Sequence, residues 1–258
     1  MASQSNKHKL NTFHLFAGAG GGILADFLLG HNPIGACEIE PYPRDVLLAR
    51  QRDGHLPNFP IWDDVCTLDG TPWRGSVDVL CGGFPCQDIS AAGTRNGSQP
   101  GISGERSGLW KEYARLIREM QPKFVFAENS PLLRTRGLTV VLKDLAEMGY
   151  NARWCILGAD QFGAIHHRKR LWVLASNPHL QHEKWSRAKQ VFRIANLSGL
   201  LPTGVDKNES SLRRLLTRGL CRWPNRFPSQ VDRLKAAGNA QVPGVAANAF
   251  NILSEGLI

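Results

Sequence analysis

The run Ala17-Gly18-Ala19-Gly20-Gly21-Gly22 constrains this chain more than any other stretch. It follows Thr12-Phe13-His14-Leu15-Phe16, which reads as a strand. It precedes Ile23, Leu24, Phe27 and Leu28, which are apolar at helical spacing and stopped by Gly30. Strand, glycine loop and helix in that order turn the backbone N–H groups of a helix N-terminus toward a ligand. A second strand, Ile34-Gly35-Ala36-Cys37-Glu38, ends in an acid at the distance where a carboxylate typically accepts hydrogen bonds from ribose hydroxyls. The glycine spacing is not the usual dinucleotide pattern, and no Gly-Lys-Ser/Thr marks a nucleoside triphosphate site. Together these features point to an adenosine-containing cofactor.

Strand-type runs recur at 77–81, 123–127, 153–157 and 171–175. Between them, Leu109, Tyr113, Leu116, Ile117 and Met120 keep helical spacing over 109–120, as do Leu138, Val141, Leu142, Leu145 and Met148 over 137–148. This alternation predicts an α/β fold, a mostly parallel twisted sheet with helices on both faces. Residues 1–10 read as a disordered polar leader. Residues 91–108, rich in glycine and serine, read as a lid, since so long a loop inside a compact domain is usually functional. Three units are expected: a main α/β domain with the glycine loop over 1–176, a small irregular unit over 177–232, and a returning helix over 233–258. In the last, Gly238-Asn239-Ala240 forms a turn and cap, and Val242, Val245, Ala249, Phe250, Ile252 and Leu253 form the apolar face.

Charge separates these units. The chain of 258 residues carries a net +9, and between Glu183 and Lys235 twelve Lys/Arg face four acids, an excess of eight. A basic segment beside a near-neutral domain suggests a polyanionic partner, most simply nucleic acid. No apolar run reaches transmembrane length and the N-terminus has no signal-peptide core, so a cytoplasmic protein is expected. The six cysteines (Cys37, Cys66, Cys81, Cys86, Cys155, Cys221) form no Cys-x-x-Cys pair. They are expected to be reduced thiols rather than disulfides or a metal cluster. His179 and His182 stand at His-x-x-His spacing without a second pair, so no metal site is expected.

One cysteine has a distinctive setting. The strand ending at Cys81 runs into Gly82-Gly83-Phe84-Pro85-Cys86-Gln87. Two glycines there allow close backbone approach to a ligand, and Pro85 fixes one φ angle and hence the direction of Cys86. A cysteine at the C-terminal lip of a buried strand sits where open α/β sheets bind ligands.

Six segments in order resemble the S-adenosylmethionine-dependent DNA (cytosine-5) methyltransferases of bacterial or phage type. They are Phe13–Gly21, the Glu38 strand end, Gly83–Gln87, Glu128-Asn129-Ser130, Gln161–Ala164 with Arg168 and Arg170, and Gly238–Pro243. The resemblance implies a Rossmann-like methyltransferase fold and methyl transfer to carbon 5 of a cytosine flipped out of duplex DNA. It makes 1–176 the catalytic and cofactor-binding domain, 177–232 the target-recognition region and 233–258 a helix rejoining the first. Carbon 5 is a poor nucleophile until a thiolate adds at carbon 6, and the resemblance gives Cys86 that role. It implies that Glu128 contacts ring nitrogen 3 and the amino group, that Arg168 braces Glu128, and that Arg170 serves structure or the same network. Pro85 and Asn129 belong to the same catalytic set. It implies a cofactor over Phe16, Ala17, Gly18, Gly20 and Gly21, with Phe16 against adenine, Glu38 on the ribose and Ile39 as an apolar stacking surface. Asp64 with Val65 matches the adenine-contacting position, with Asp63 as the alternative register. Asn239 and Ala240 complete the cofactor set, while Gln87, Ser90 and Arg106 are expected to contact DNA. The family suggests a monomer, and a companion restriction endonuclease is among its partners. The same scaffold also serves RNA cytosine methyltransferases and catalytically weak DNA-binding relatives.

Overall fold

The computed structural model describes residues 9–85, 109–164, 166–180 and 240–257. The chain alternates strands and helices: β1 (Asn11–Leu15), α1 (Gly21–Leu29), β2 (Asn32–Cys37), α2 (Pro41–Arg52), β3 (Ile61–Trp62) and β4 (Val79–Gly82). It continues with α3 (Trp110–Met120), β5 (Phe124–Asn129), α4 (Leu133–Arg136), α5 (Leu138–Glu147), β6 (Asn151–Leu157), β7 (Arg170–Ser176) and α6 (Pro243–Leu253). The strands form one sheet in the order β3-β2-β1-β4-β5-β7-β6. From β3 to β5 neighbouring strands are parallel, whereas β7 runs antiparallel to both β5 and β6. The expected mostly parallel α/β sheet is thus present, with one reversed strand that periodicity alone does not distinguish.

Two apolar layers flank the sheet. On one face α3 and α5 bury Tyr113, Leu116, Ile117, Met120, Val141 and Leu145 against Leu15, Leu80, Val125 and Val173. On the other, α6 buries Val245, Ala249, Phe250 and Leu253 against Val79, Phe124, Phe126 and Trp172. Covered on both faces, β4 and β5 are buried at every residue, which is why they read as continuous apolar runs. The Tyr113 hydroxyl donates to the Leu80 and Phe126 carbonyls at 3.0 and 3.3 Å, tying β4 to β5 from the α3 side.

Several expectations need correction. Leu10, assigned to the polar leader, is buried in the second layer, and its carbonyl accepts from the Asn32 amide; residues 1–8 lie outside the described residues. The last helix begins after Val242 with Pro243 in its first turn, so the cap is not at Gly238–Ala240, of which Gly238 and Asn239 lie outside the described residues. Ile252 is 48% exposed rather than part of the buried face. In α1 the buried residues are Gly21, Ile23, Ala25 and Asp26, while Leu24, Phe27 and Leu28 stay exposed. Helix α2 was not anticipated, because it buries only Pro43 and Leu47. The lid over 91–108 and most of the recognition region over 177–232 fall outside the described residues.

Candidate active site

At the C-terminal ends of the parallel strands, β1 is followed by a loop of forced conformation. Phe16 (φ 52), Gly18 (φ 54) and Gly20 (φ 92) all take left-handed backbone angles. Such angles cost little for glycine and are uncommon for other residues, so Phe16 is held there by its surroundings. The Ala17 amide donates to the Cys37 carbonyl at 3.0 Å, fastening the loop to β2. The Gly18 amide donates to Glu38 Oε2 at 2.6 Å, and the Glu40 amide donates to Oε1 at 2.9 Å. Glu38 is therefore a buried carboxylate fixed at a strand end, its pKa raised by burial against the pull of these two amides. The loop opens into a cleft lined by His14, Phe16, Ala17, Gly18, Gly22 and, from other elements, Gly83, Glu128, Ala240 and Gln241. The cleft lies between β1 and β4, where the strand order reverses, which is the usual ligand position in open α/β sheets.

The second half of the site comes from β4 and β5. Gly82 pairs with Ala127, so Gly83 stands beside Glu128. A Cβ on Gly83 would lie 2.6 Å from Glu128 Oε2, a distance real Cβ atoms do not tolerate. The Asn129 side-chain amide donates to the Phe84 carbonyl at 3.1 Å, and its Oδ1 accepts from the Ser130 amide at 2.7 Å. Phe84 packs on Trp110 and Tyr113. Asn129 thus anchors the chain one residue before the half-buried Pro85.

Glu128 is 8% exposed and forms an ion pair with Arg170, Oε1 to Nε at 2.8 Å. Burial raises its pKa. The charges of Arg170 and Arg168, a hydrogen bond with Gln241 and one with Arg170 pull against that rise. The brace expected from Arg168 thus comes most directly from Arg170, while Arg168 (φ 20) donates to the Ala240 carbonyl. Arg170 opens β7, and because β7 is antiparallel its first residue lies at the edge where β5 ends.

Gln241 was absent from the expected site set. It abuts Gly21 and Gly22 of the glycine loop as well as Gly83, and it hydrogen-bonds Glu128. Its place in the Gly238–Pro243 segment was the signal available.

Of the remaining expected residues, Ile39 is 60% exposed beyond β2, Val65 is buried, and Asp64 is half-buried with its carboxylate accepting from the Cys66 amide at 2.9 Å. Asp63 is exposed, its carboxylate accepting from the Asp64 amide. Cys86, Gln87, Ser90, Arg106 and Asn239 lie outside the described residues. Among the described cysteines, Cys37 and Cys81 are buried, Cys66 is exposed and all are free of disulfides. Burial pushes the Cys37 thiol up to about 12 and Cys155 up to about 11, so neither is suited to nucleophilic work.

Comparison with known proteins decides the family. The profile of the C-5 cytosine-specific DNA methylases matches residues 10–236. The chain belongs to that family. It is 33% identical over 166 residues to the Type II methyltransferase M.CviJI of a Paramecium bursaria Chlorella virus, covering 64% of this chain and 42% of that protein. It is 31% identical over 211 residues to the Type II methyltransferase M.PspPI of a Psychrobacter species, covering 76% and 48%. The matches therefore span less than half of these relatives. In fold it is similar to the Entamoeba histolytica methyltransferase EhMeth (TM-score 0.57, 16% identity, 83% of this chain and 67% of that one). It is also similar to the Dnmt2 methyltransferase of S. pombe (TM-score 0.51, 20% identity, 69% and 51%). These neighbours bear on the fold alone, which is Rossmann-like. No helix among the described residues is long and apolar enough to cross a membrane.

Proposed function

We propose that this chain methylates carbon 5 of cytosine in duplex DNA, with S-adenosylmethionine as methyl donor and Cys86 as nucleophile. The observation that carries the reading is the buried Glu128, held by Arg170 and Gln241 at the lip of a glycine-loop cleft and beside the Gly83–Pro85 turn that leads into Cys86.

The cleft suits the cofactor. Its floor has no side chain at Gly18 or Gly22, first-turn amides of α1 lack intrahelical partners, and the fixed Glu38 carboxylate retains lone pairs for ribose hydroxyls. Phe16, Ile39, Asp64 and Val65 are the candidates around the adenine, with Ala17, Gly20, Gly21, Asn239 and Ala240 completing the cradle. When bound, S-adenosylmethionine supplies an electrophilic methyl group on its sulfonium sulfur.

The residues of the chain supply the rest. The Cys86 thiolate adds to carbon 6 of the flipped base, forming a carbon–sulfur bond and moving an electron pair toward carbon 5 and ring nitrogen 3. A free thiol with pKa about 8.5 is only a few per cent ionised at neutral pH, so its setting has to favour the thiolate. Glu128, whose burial favours the protonated carboxyl, hydrogen-bonds nitrogen 3 and stabilises the charge arriving there. After methylation, the carbon 5 proton passes to solvent water, its electron pair re-forms the ring double bond, and the Cys86 sulfur is expelled as thiolate. Flipping the base costs a few kcal/mol, offset by contacts made once it is out of the helix. Gln87, Ser90 and Arg106 are the candidate DNA contacts, and a companion restriction endonuclease is the partner that the family suggests.

The test is transfer of tritiated methyl from S-adenosylmethionine to duplex DNA. The expected result is incorporation by the unsubstituted chain, none by Cys86→Ser, and a covalent adduct with 5-fluorocytosine duplex that disappears in Cys86→Ala. Label on transfer RNA alone, or an adduct surviving Cys86→Ala, would overturn the reading.

A further inference from the structure

Glu128 has a charged neighbour on one flank and an aromatic stack on the other, and the reaction above uses only the charge. Strand β7 pairs antiparallel with β5 so that Trp172 stands directly opposite Glu128. Residues opposite each other in such a pair project from the same face of the sheet, with Cβ atoms about 4.5–5.5 Å apart. Arg170, two residues before Trp172, shares that face and reaches Glu128 diagonally in the 2.8 Å ion pair. Phe126, two residues before Glu128, shares it as well. Its ring stacks on the indole of Trp172, with centroids 5.3 Å apart and planes 17° from parallel. Along this face the carboxyl therefore has Arg170 on its outer flank and the Trp172–Phe126 stack on its inner flank.

The stack is dry. Trp172 is 1% exposed, Phe126 is buried, and Phe250 of α6 meets Phe126 edge-on at 5.3 Å and 85°. Among the described residues the Trp172 Nε1–H has no hydrogen-bond partner. An N–H given to the carboxylate would favour its charged form, and this indole gives none. The other groups facing Glu128 are Arg168 and Arg170 at the start of β7, the uncharged Gln241 before α6, Gly83 after β4, and His14 of β1 across the cleft. No acid is among them. Opposition to ionisation therefore comes from apolar surroundings, as the dominance of burial over the two arginines indicates. In the register of the sheet, the large apolar surface set against Glu128 is the indole of Trp172.

We propose that Trp172 is a positioning residue for Glu128: backed by Phe126, its indole is the dry wall that keeps the carboxyl able to donate a hydrogen bond while Arg170 fixes its direction. The proposal rests on the reading of Glu128 as the group that meets ring nitrogen 3 of the base.

The test follows the Glu128 carboxyl by carbon-13 NMR in the free protein, which reads this group separately from His14, together with the pH dependence of kcat for tritiated methyl transfer. Trp172→Gln puts a polar amide into the wall. The expected result is a Glu128 midpoint at lower pH than in the unsubstituted chain, and an alkaline limb of kcat that moves down with it. Transfer at neutral pH should fall about tenfold, a part of the ~hundredfold worth of a positioned acid. Trp172→Phe keeps an aromatic face and should restore most of both shifts. In the unsubstituted chain, the Trp172 indole nitrogen-15 resonance should titrate with the Glu128 midpoint and stop doing so in Glu128→Gln; this measurement serves if Trp172→Gln fails to fold. A Glu128 midpoint unmoved in Trp172→Gln, with kcat lowered equally at every pH, would make Trp172 a packing residue and overturn the proposal. So would an indole resonance that ignores Glu128. If methyl transfer occurs and the midpoint does not move, only this proposal fails. If the titrations behave as expected but the unsubstituted chain transfers no methyl group to DNA, the wall stands and the reading of the reaction fails.

Discussion

Asp26 and Glu128 are both buried acids, yet their surroundings push them in opposite directions. Burial wins at Glu128, so its pKa is raised even with two arginines nearby. Hydrogen bonds and charge win at Asp26, whose pKa falls from 3.8 to about 2. Asp26 binds its proton more weakly in the folded chain than in the unfolded one. Its contribution is therefore fully present above 3.8 and disappears as the pH falls through about 2. That difference is worth about 2 kcal/mol. Urea unfolding of the unsubstituted chain and Asp26→Asn across that acid range is expected to show a gap that narrows as pH falls; a constant gap would mean the histidines do not stabilise the carboxylate. Glu128→Gln keeps the shape but removes the carboxyl proposed to hydrogen-bond ring nitrogen 3, and methyl transfer is expected to fall by about a hundredfold or more, the usual worth of a positioned acid. Arg170→Ala removes the 2.8 Å ion pair, so the Glu128 pKa is expected to rise further, visible in the carboxyl titration by carbon-13 NMR. Of these groups the sequence made Glu128 and Arg170 legible through strand-end position and motif. Asp26 was not legible, because an acid within a helical pattern reads as exposed and its burial goes with the pairing to His14 and His31 that only the fold brings about.

At the scale of elements, the site exists because four segments stop at one edge of the sheet: the loop after β1, the turn after β4, the end of β5 and the start of β7. The first three follow from parallel strands, and their order was readable from the alternation of periods. The fourth requires β7 to run backwards, so that Arg170 at its first residue reaches Glu128 at the end of β5. Strand direction leaves no trace in the apolar pattern of residues 171–175, since either orientation buries the same side chains. Helix α2 escaped for a related reason: with Pro43 and Leu47 as its only buried residues, it has no stripe to read. The segment leading into α6 then closes the arrangement by pressing Gln241 between two glycine turns. Gly83→Ala is expected to displace the Glu128 carboxylate, whose Oε2 would lie 2.6 Å from the new Cβ. Activity should fall at least tenfold while the unfolding midpoint moves little, because that carboxylate is the end of a side chain. Gly21→Ala would instead meet the Gln241 backbone, which cannot rotate away. Its expected signature is a loss of about 1–3 kcal/mol of stability, the range for overpacking, measured by denaturant unfolding. If Gly83→Ala proved the more destabilising of the two, the turn would be structural rather than catalytic.

At the scale of the whole molecule, charge and chemistry occupy different parts of the chain. The candidate site is assembled at the sheet edge from groups between Leu15 and Gln241, whereas the positive excess lies in the sequence from Glu183 to Lys235, twelve basic residues against four acids. A candidate site of one glutamate and two arginines has little net charge with which to hold a polyanion, so the proposed DNA affinity should be carried by the basic segment. Affinity of that kind comes from counterion release, and its logarithm falls with the logarithm of salt concentration by about 0.9 for each phosphate neutralised. Replacing Arg213, Arg214, Arg218 and Arg222 with glutamine is expected to lower the slope by about 0.9 for every one of the four that meets a phosphate, and to weaken binding of all duplex sequences alike. S-adenosylhomocysteine binding should be unchanged, because the described lining of the glycine-loop cleft comes from other residues. Fluorescence anisotropy of a labelled duplex between about 50 and 200 mM salt measures both quantities. An unchanged slope would place the phosphate contacts elsewhere on the chain. A slope that falls together with cofactor affinity would mean that the basic segment also supports the fold of the cleft.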